Sequence, residues 1–295
     1  LLMLCENIWF RLLMIFACAL IAFKLLIIIR SYVELVHQFL FPSVDTKLFI
    51  ILMLAGSYYL ARSGLSAVVR FTIIAFVAIL CILIMNVHFY FPAYANYYHL
   101  LPLLPIDGDA YSIKSFFILW SLYGGPEYLI ALTIWAGKKR VTPYLLAGHA
   151  MTILEYLFIF IAALLFFGST YLQTLQFPVF ELLRYIQLPF FERVEMFIIS
   201  IYMTSHLLIS SILCLYLYGA ARIVLKRMNK STTRRGLLAV FSIVGLYLFA
   251  FDSWFLSTEV QREAWEQIQL AISGCSFLLI PLLFAMLVRI RKKVA

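Results

Sequence analysis

The sequence predicts an all-α polytopic membrane protein of about eight spans, since each crossing takes roughly 20 mostly apolar residues and the chain has 295. Three observations carry that prediction. Hydrophobic residues make up 65% of the chain and charged residues 13%, against about 45–50% and about 25% in soluble domains. The apolar residues collect in long runs separated by short polar or Pro-containing breaks, which leaves no stretch for a soluble domain. The basic residues fall in alternate breaks, the mark of membrane orientation. The net charge of +9 therefore points to a lipid bilayer and not to nucleic acid.

In chain order the runs are 9–36, 47–62, 68–89, 113–136, 143–167, 194–222, 237–254 and 267–288. The first is longer than the roughly 7–15 apolar residues of a signal-peptide core and continues to Arg30 without a small-residue cleavage site, so it reads as a span. An even number of spans places both termini on one side. That side holds Arg11, Arg62, Arg70, Lys138, Lys139, Arg140, Arg222, Lys226, Arg227, Lys230, Arg234, Arg235, Arg289, Arg291, Lys292 and Lys293, or 16 of the 23 Lys and Arg. By the positive-inside rule it is cytoplasmic. The opposite side is acidic and aromatic, at 88–111 and 168–193. Within the second segment Val179, Leu182, Leu183 and Ile186 recur at helical spacing, predicting a short amphipathic helix on the outer face, as a lid or a moving gate. Cys5, Cys18, Cys81, Cys214 and Cys275 show no CxxC and no pairing with histidine, so neither a zinc site nor a disulfide framework is expected.

The fourth run is interrupted at its centre by Ser121-Leu-Tyr-Gly-Gly-Pro-Glu-Tyr-Leu129. A helical glycine costs about 1 kcal/mol relative to alanine and an interior proline about 3 kcal/mol. Gly124, Gly125 and Pro126 should therefore unwind or kink this span and free backbone groups at mid-membrane depth. Such groups are tolerated only where protein or a water-filled cavity satisfies them, and an interrupted hydrophobic segment points to a midplane binding site in transporter folds. A plain proline kink is the bland alternative. Glu127 costs at least about 2.5 kcal/mol in hydrocarbon unless it faces a cavity, a partner or a proton.

Other polar residues in the spans admit two readings. Glu155 either marks a second interior site or reaches toward Lys138 to Arg140. Arg30, Glu34 and His37 share one helix stripe, as for a local ion pair. Lys24, Ile28 and Ser31 form another stripe with a charge near mid-membrane, which requires an interior environment. Tyr202, His206, Ser210 and Cys214 recur every four residues, beside a row of Ser200, Thr204 and Ser211. Helix packing is the ordinary use of such rows, and ligand contact is the sharper one. No catalytic triad, phosphate loop, dinucleotide fingerprint or HExxH motif is present, so no enzyme, cofactor or metal site is expected.

Arg30-Ser-Tyr-Val-Glu-Leu35 with Phe41-Pro42, Leu101-Pro-Leu-Leu-Pro105 leading into the broken span, Pro178-Val-Phe-Glu-Leu182 and Phe191-Glu-Arg-Val-Glu195 occur in that order. In this the chain resembles the spore germination permease family, the B subunit of nutrient germinant receptors and a branch of the amino acid-polyamine-cation superfamily. The resemblance implies an inverted-repeat, LeuT-like transporter fold of ten helices, of which eight are present and the first two are lacking. It implies a pocket for an amino acid or similar small nutrient formed by Trp120, Tyr123, Gly124, Gly125 and Glu127 from the break, Ile28 and Ser31 from the first span, and Tyr202, Met203 and Thr204 from the sixth. It further implies a spore inner-membrane location and signalling to an A-type membrane subunit and a C-type lipoprotein. An amino-acid symporter of the same fold and an inactive truncated remnant are the alternatives.

Overall fold

A computed structural model describes residues 8–101, 116, 119–121, 127, 142–186, 194–225, 233–255 and 259–294. Every element among these residues is helical: α1 (Ile8–Phe39), α2 (Thr46–Arg62), α3 (Leu65–Asn86), α4 (Thr142–Leu172), α5 (Pro178–Leu183), α6 (Val194–Val224), α7 (Arg234–Phe255) and α8 (Glu259–Val294), with short 3-10 turns at Val87–Tyr90 and Tyr97–Leu100. Six of these helices have stretches long and apolar enough to cross a membrane: Phe10–Phe39, Leu65–Tyr90, Pro143–Leu172, Val194–Val224, Arg234–Phe251 and Ala264–Leu283. The chain is a polytopic membrane protein. The predicted second span is α2, whose 17 residues stand at the lower limit for a crossing.

α6 is the centre of the bundle and packs along α1, α2 and α3. Its buried residues, among them Ile198, Ile199, Leu213, Cys214 and Ala220, meet Leu25, Leu26 and Ile29 of α1. Lipid tails are as apolar as these side chains, so close approach and interhelical hydrogen bonds hold the helices together. Gly56 illustrates the first, since a Cβ there would lie 2.9 Å from Leu207 Cδ2. Ser211 supplies the second: its hydroxyl reaches the Ser57 carbonyl at 3.1 Å across the interface and the Leu207 carbonyl at 2.6 Å within its own helix. Phe23, Phe251 and Trp265 meet edge to face at 5.3 to 6.1 Å, joining α1, α7 and α8.

Helix ends follow local chemistry. Asp45 caps α2 by accepting from the Lys47 N–H at 2.9 Å. Gly64, at φ 88°, turns the chain directly into α3, a conformation that favours glycine. α4 runs to Leu172, past the predicted end at 167, because Gly168 at φ 74° breaks the helical path without ending it. The Leu165 carbonyl accepts from the Asn96 N–H at 3.0 Å and meets His99 Nδ1 at 3.1 Å, which ties the outer turn to α4. α8 is longer than the predicted 267–288, because its polar first turns continue the helix beyond the apolar stretch.

The predicted amphipathic helix is present as α5. Leu182, Leu183 and Ile186 are buried as its spacing requires, and Phe180 is buried more deeply than Val179. The shift has a physical cause. Phe180 finds aromatic partners in Tyr202 at 5.3 Å and Phe39 at 6.4 Å, whereas Val179 offers less area to bury.

Candidate functional site

The polar residues that the sequence singles out lie at two levels of the bundle. The outer level, named for its place at the end of the bundle away from Arg62, Arg222 and Arg234, is built on α1 and α6, which run antiparallel. Tyr32 follows Ser31, and its hydroxyl donates to the Ile199 carbonyl at 3.2 Å. Its ring stacks on His206 with centroids 4.5 Å apart. Tyr202, one turn before His206, meets that imidazole edge to face at 4.5 Å. Phe180 covers Tyr202 from outside, and Phe39 and Phe177 continue the aromatic wall at 6.2 Å. Arg184 stands 5.9 Å from the Phe39 ring and pairs with Glu181 at 3.0 Å. The four-residue spacing of Tyr202 and His206 thus places two aromatic groups on one face, where α1 and α5 close over them.

The other level gathers around Glu127; most of the predicted fourth span, 113–136, including its break at 124–126, lies outside the described residues. Glu127 is 4% exposed, and the Ser276 hydroxyl of α8 donates to its Oε1 at 3.4 Å. Lys24 of α1 and Tyr216 of α6 lie within electrostatic reach of the same carboxylate. Gln269 and Ser273, one turn apart on α8, are hydrogen-bonded at 2.8 Å and buried. Trp120 stacks on Phe116 at 5.8 Å and meets the Phe277 edge at 5.5 Å. Its Nε1 is buried without an acceptor. A carboxylate, an ammonium and two hydroxyl groups thus share an apolar interior, where each interacts more strongly than in water.

The structure places the predicted site residues accordingly. Tyr202 and Ser31 belong with the outer level. Ile28 is half-buried one turn before Tyr32 and packs on the core. Trp120 and Glu127 are held against α8. Thr204 directs its hydroxyl to the Ile201 carbonyl of its own helix at 2.8 Å. Met203 is 41% exposed, because one residue advances a helix by about 100° and carries it off the Tyr202 face. Tyr123, Gly124 and Gly125 lie outside the described residues. Half-buried Arg30, Glu34 and His37 keep to one side of α1.

Glu155, which the sequence singled out, occupies the middle of α4 within electrostatic reach of Tyr202, and Lys138 to Arg140 lie outside the described residues. Sequence reasoning missed two participants. Tyr32, adjacent to a predicted residue, is the one that reaches α6. Ser276 sits in a helix with no interrupted motif to draw the eye. Only the three-dimensional crossing of helices reveals these. Among the described residues no cluster of His, Cys, Asp and Glu could hold a metal ion.

Comparison with known proteins follows this geometry. The family model described as "Spore germination protein" matches residues 4–253. The chain is 26% identical over 182 residues to the spore germination protein GerQB of Bacillus cereus, a match covering 59% of this chain and 48% of that protein. The chain thus spans about half the length of the curated relative it matches. No solved structure matches it.

Proposed function

This chain belongs to the spore germination protein family, and from that premise we propose that it is the membrane subunit of a spore nutrient germinant receptor, binding an amino acid or similar small nutrient at the broken span. The observation that carries the reading is Glu127: a carboxylate within an interrupted apolar segment turns into the bundle, where α8 offers it a hydroxyl and α1 an ammonium within electrostatic reach. Such a residue is expensive in lipid and serves where it binds.

In this reading the fold is an inverted-repeat, LeuT-like transporter scaffold used as a sensor. Freed backbone groups at Gly124 and Gly125 hold the charged ends of the nutrient, Glu127 takes part in holding its ammonium, Trp120 and Tyr123 judge its size, and Ile28, Ser31, Tyr202 and Thr204 close the pocket from the other level. Binding biases a closed–open equilibrium by no more than the nutrient's differential affinity for the two states. The change passes to an A-type membrane subunit and a C-type lipoprotein in the spore inner membrane, with the basic side of this chain facing the cytoplasm. No covalent chemistry takes part.

Half-buried Lys24 and buried Glu127 also favour a second reading, an amino-acid symporter coupled to protons or sodium, because intramembrane ionisable residues commonly mark ion pathways. Uptake of labelled amino acids into proteoliposomes separates the two. A sensor binds without accumulating the nutrient, whereas robust coupled accumulation would reject the sensor. The pocket itself is tested by Gly125→Leu, which should abolish the germination response to nutrient while leaving membrane insertion intact. An unchanged dose response in that variant removes the broken span from the binding site.

A further inference from the structure

At the end of the bundle that carries the excess of Lys and Arg, α2, α3, α6 and α7 enclose a cleft of about 60 Å³. A single ordered water needs roughly 10–15 Å³, so the cleft has room for a polyatomic group. Arg62, Tyr218, Thr233 and Arg234 give it a polar lining beside Gly64 and Leu65, and among the described residues no carboxylate lines it. Both arginines are exposed at the rim, and the Arg62 guanidinium lies 4.4 Å from the Tyr59 ring. Arg222, one turn after Tyr218, is 7% exposed and stands 5.7 Å from the Tyr218 ring.

The backbone reinforces this polarity. Two helices begin at the cleft, α3 after Gly64 and α7 after Thr233. No side chain caps the first turn of α3, and the initial N–H groups of a helix carry a partial positive charge. The Tyr218 hydroxyl accepts from the Thr233 N–H at 3.1 Å, fixing the start of α7 against α6. A Cβ placed on Gly64 would meet nothing within 4 Å, so the rim is open above that glycine. Leu215 and Leu237 line the opposite wall, which leaves a small cleft that is cationic at its rim and apolar behind.

We infer that this cleft binds a phosphate group, presented by the headgroup of an anionic lipid or as free phosphate. Guanidinium forks match phosphate oxygens in pairs, and basic pockets between membrane helices recognise anionic headgroups. The cleft lies at helix ends, in the plane where lipid headgroups sit, and its apolar wall suits the start of an acyl chain. The site is separate from the broken span and independent of any nutrient.

The test uses the full chain, reconstituted in nanodiscs of phosphatidylcholine alone or mixed with phosphatidylglycerol, then released and weighed by native mass spectrometry to count retained phosphatidylglycerol. The Arg62→Gln, Arg234→Gln pair should weaken retention by about a hundredfold, taking roughly 1.5 kcal/mol for each lost guanidinium–phosphate hydrogen bond and 1.4 kcal/mol per tenfold. Arg70→Gln with Arg235→Gln removes the same charge from exposed positions at the same end outside the cleft, and should change retention by no more than about twofold, the size of a screened surface effect. In a second arm, inorganic phosphate is titrated against the detergent-solubilised chain and its variants. Phosphate binding sensitive to the Arg62 and Arg234 pair, without lipid retention, would assign the site to free phosphate. Equal losses from both variant pairs, or no cleft-dependent binding in either arm, would overturn the proposal.

Discussion

Phe180→Ala tests whether the outer helix α5 is held by its aromatic contact. A helix of six residues cannot persist by its own hydrogen bonds, because nucleation is unfavourable and isolated helices shorter than about 12–15 residues are marginal. Its stability is therefore tertiary, and Phe180, 7% exposed, is its main aromatic anchor between Tyr202 and Phe39. Truncating a buried Phe costs about 3–5 kcal/mol, and each ring pair contributes about 0.5–1.5 kcal/mol of that beyond area. At the low end, about 3 kcal/mol raises the population of the open segment by roughly 10²-fold. The readout is hydrogen–deuterium exchange of the Glu181 and Arg184 amides, bonded to the Phe177 and Phe180 carbonyls at 3.0 and 3.2 Å, since exchange follows local opening. Arg184→Gln removes the exposed pair with Glu181, worth about 0.3–0.5 kcal/mol, and should speed exchange only about twofold. Exchange that is unchanged in Phe180→Ala, or equally fast in Arg184→Gln, would refute the argument that aromatic burial outweighs the ion pair.

Further outcomes follow from the interior contacts. Lys24→Met and Glu127→Leu should each lower the thermal midpoint, because each removes one partner of an electrostatic contact between a half-buried ammonium and a buried carboxylate; together they should lose less than the sum, and additive thermal midpoints in detergent would show that the two residues do not interact. Tyr32→Phe deletes the bond to the Ile199 carbonyl but keeps the stack on His206, so the expected loss is about 0.6 kcal/mol and at most about 1.7 kcal/mol; a larger fall in thermal stability would mean that the hydroxyl holds more than one helix. Gly168→Ala imposes a side chain on a backbone at φ 74° with the His99 ring 3.4 Å from the new Cβ, and should cost about 1–3 kcal/mol; a thermal midpoint equal to that of the unchanged chain would remove the strain argument.

Six of the spans were legible because a bilayer leaves a strong one-dimensional trace: long apolar runs, basic turns and aromatic ends. The burial of Glu127 could likewise be anticipated, since a carboxylate beside two glycines and a proline has few tolerable environments. Partners were harder to read. Ser276 lies 149 positions from Glu127 and Ile199 lies 167 from Tyr32, and nothing in local periodicity records which helices cross at which depth. The helical rows on α6 identified Tyr202, whereas Met203, which belonged to neither row and entered through the family resemblance, turns outward. The cleft between α2, α3, α6 and α7 left no motif at all, because its two arginines are 172 positions apart and each alone resembles an orientation signal.

The break at Gly168 has a genetic consequence. The Leu165 carbonyl that would continue the helix instead receives the Asn96 amide and faces His99, so the clasp between the outer turn and α4 uses a main-chain acceptor that no side-chain replacement at Leu165 can delete. A screen of random substitutions should find the clasp through Gly168 and His99, which lie 69 residues apart in the chain, while changes at Leu165 report only the loss of its buried side chain. Two distant positions would then behave as one locus, with the carbonyl that joins them out of reach of any side-chain change.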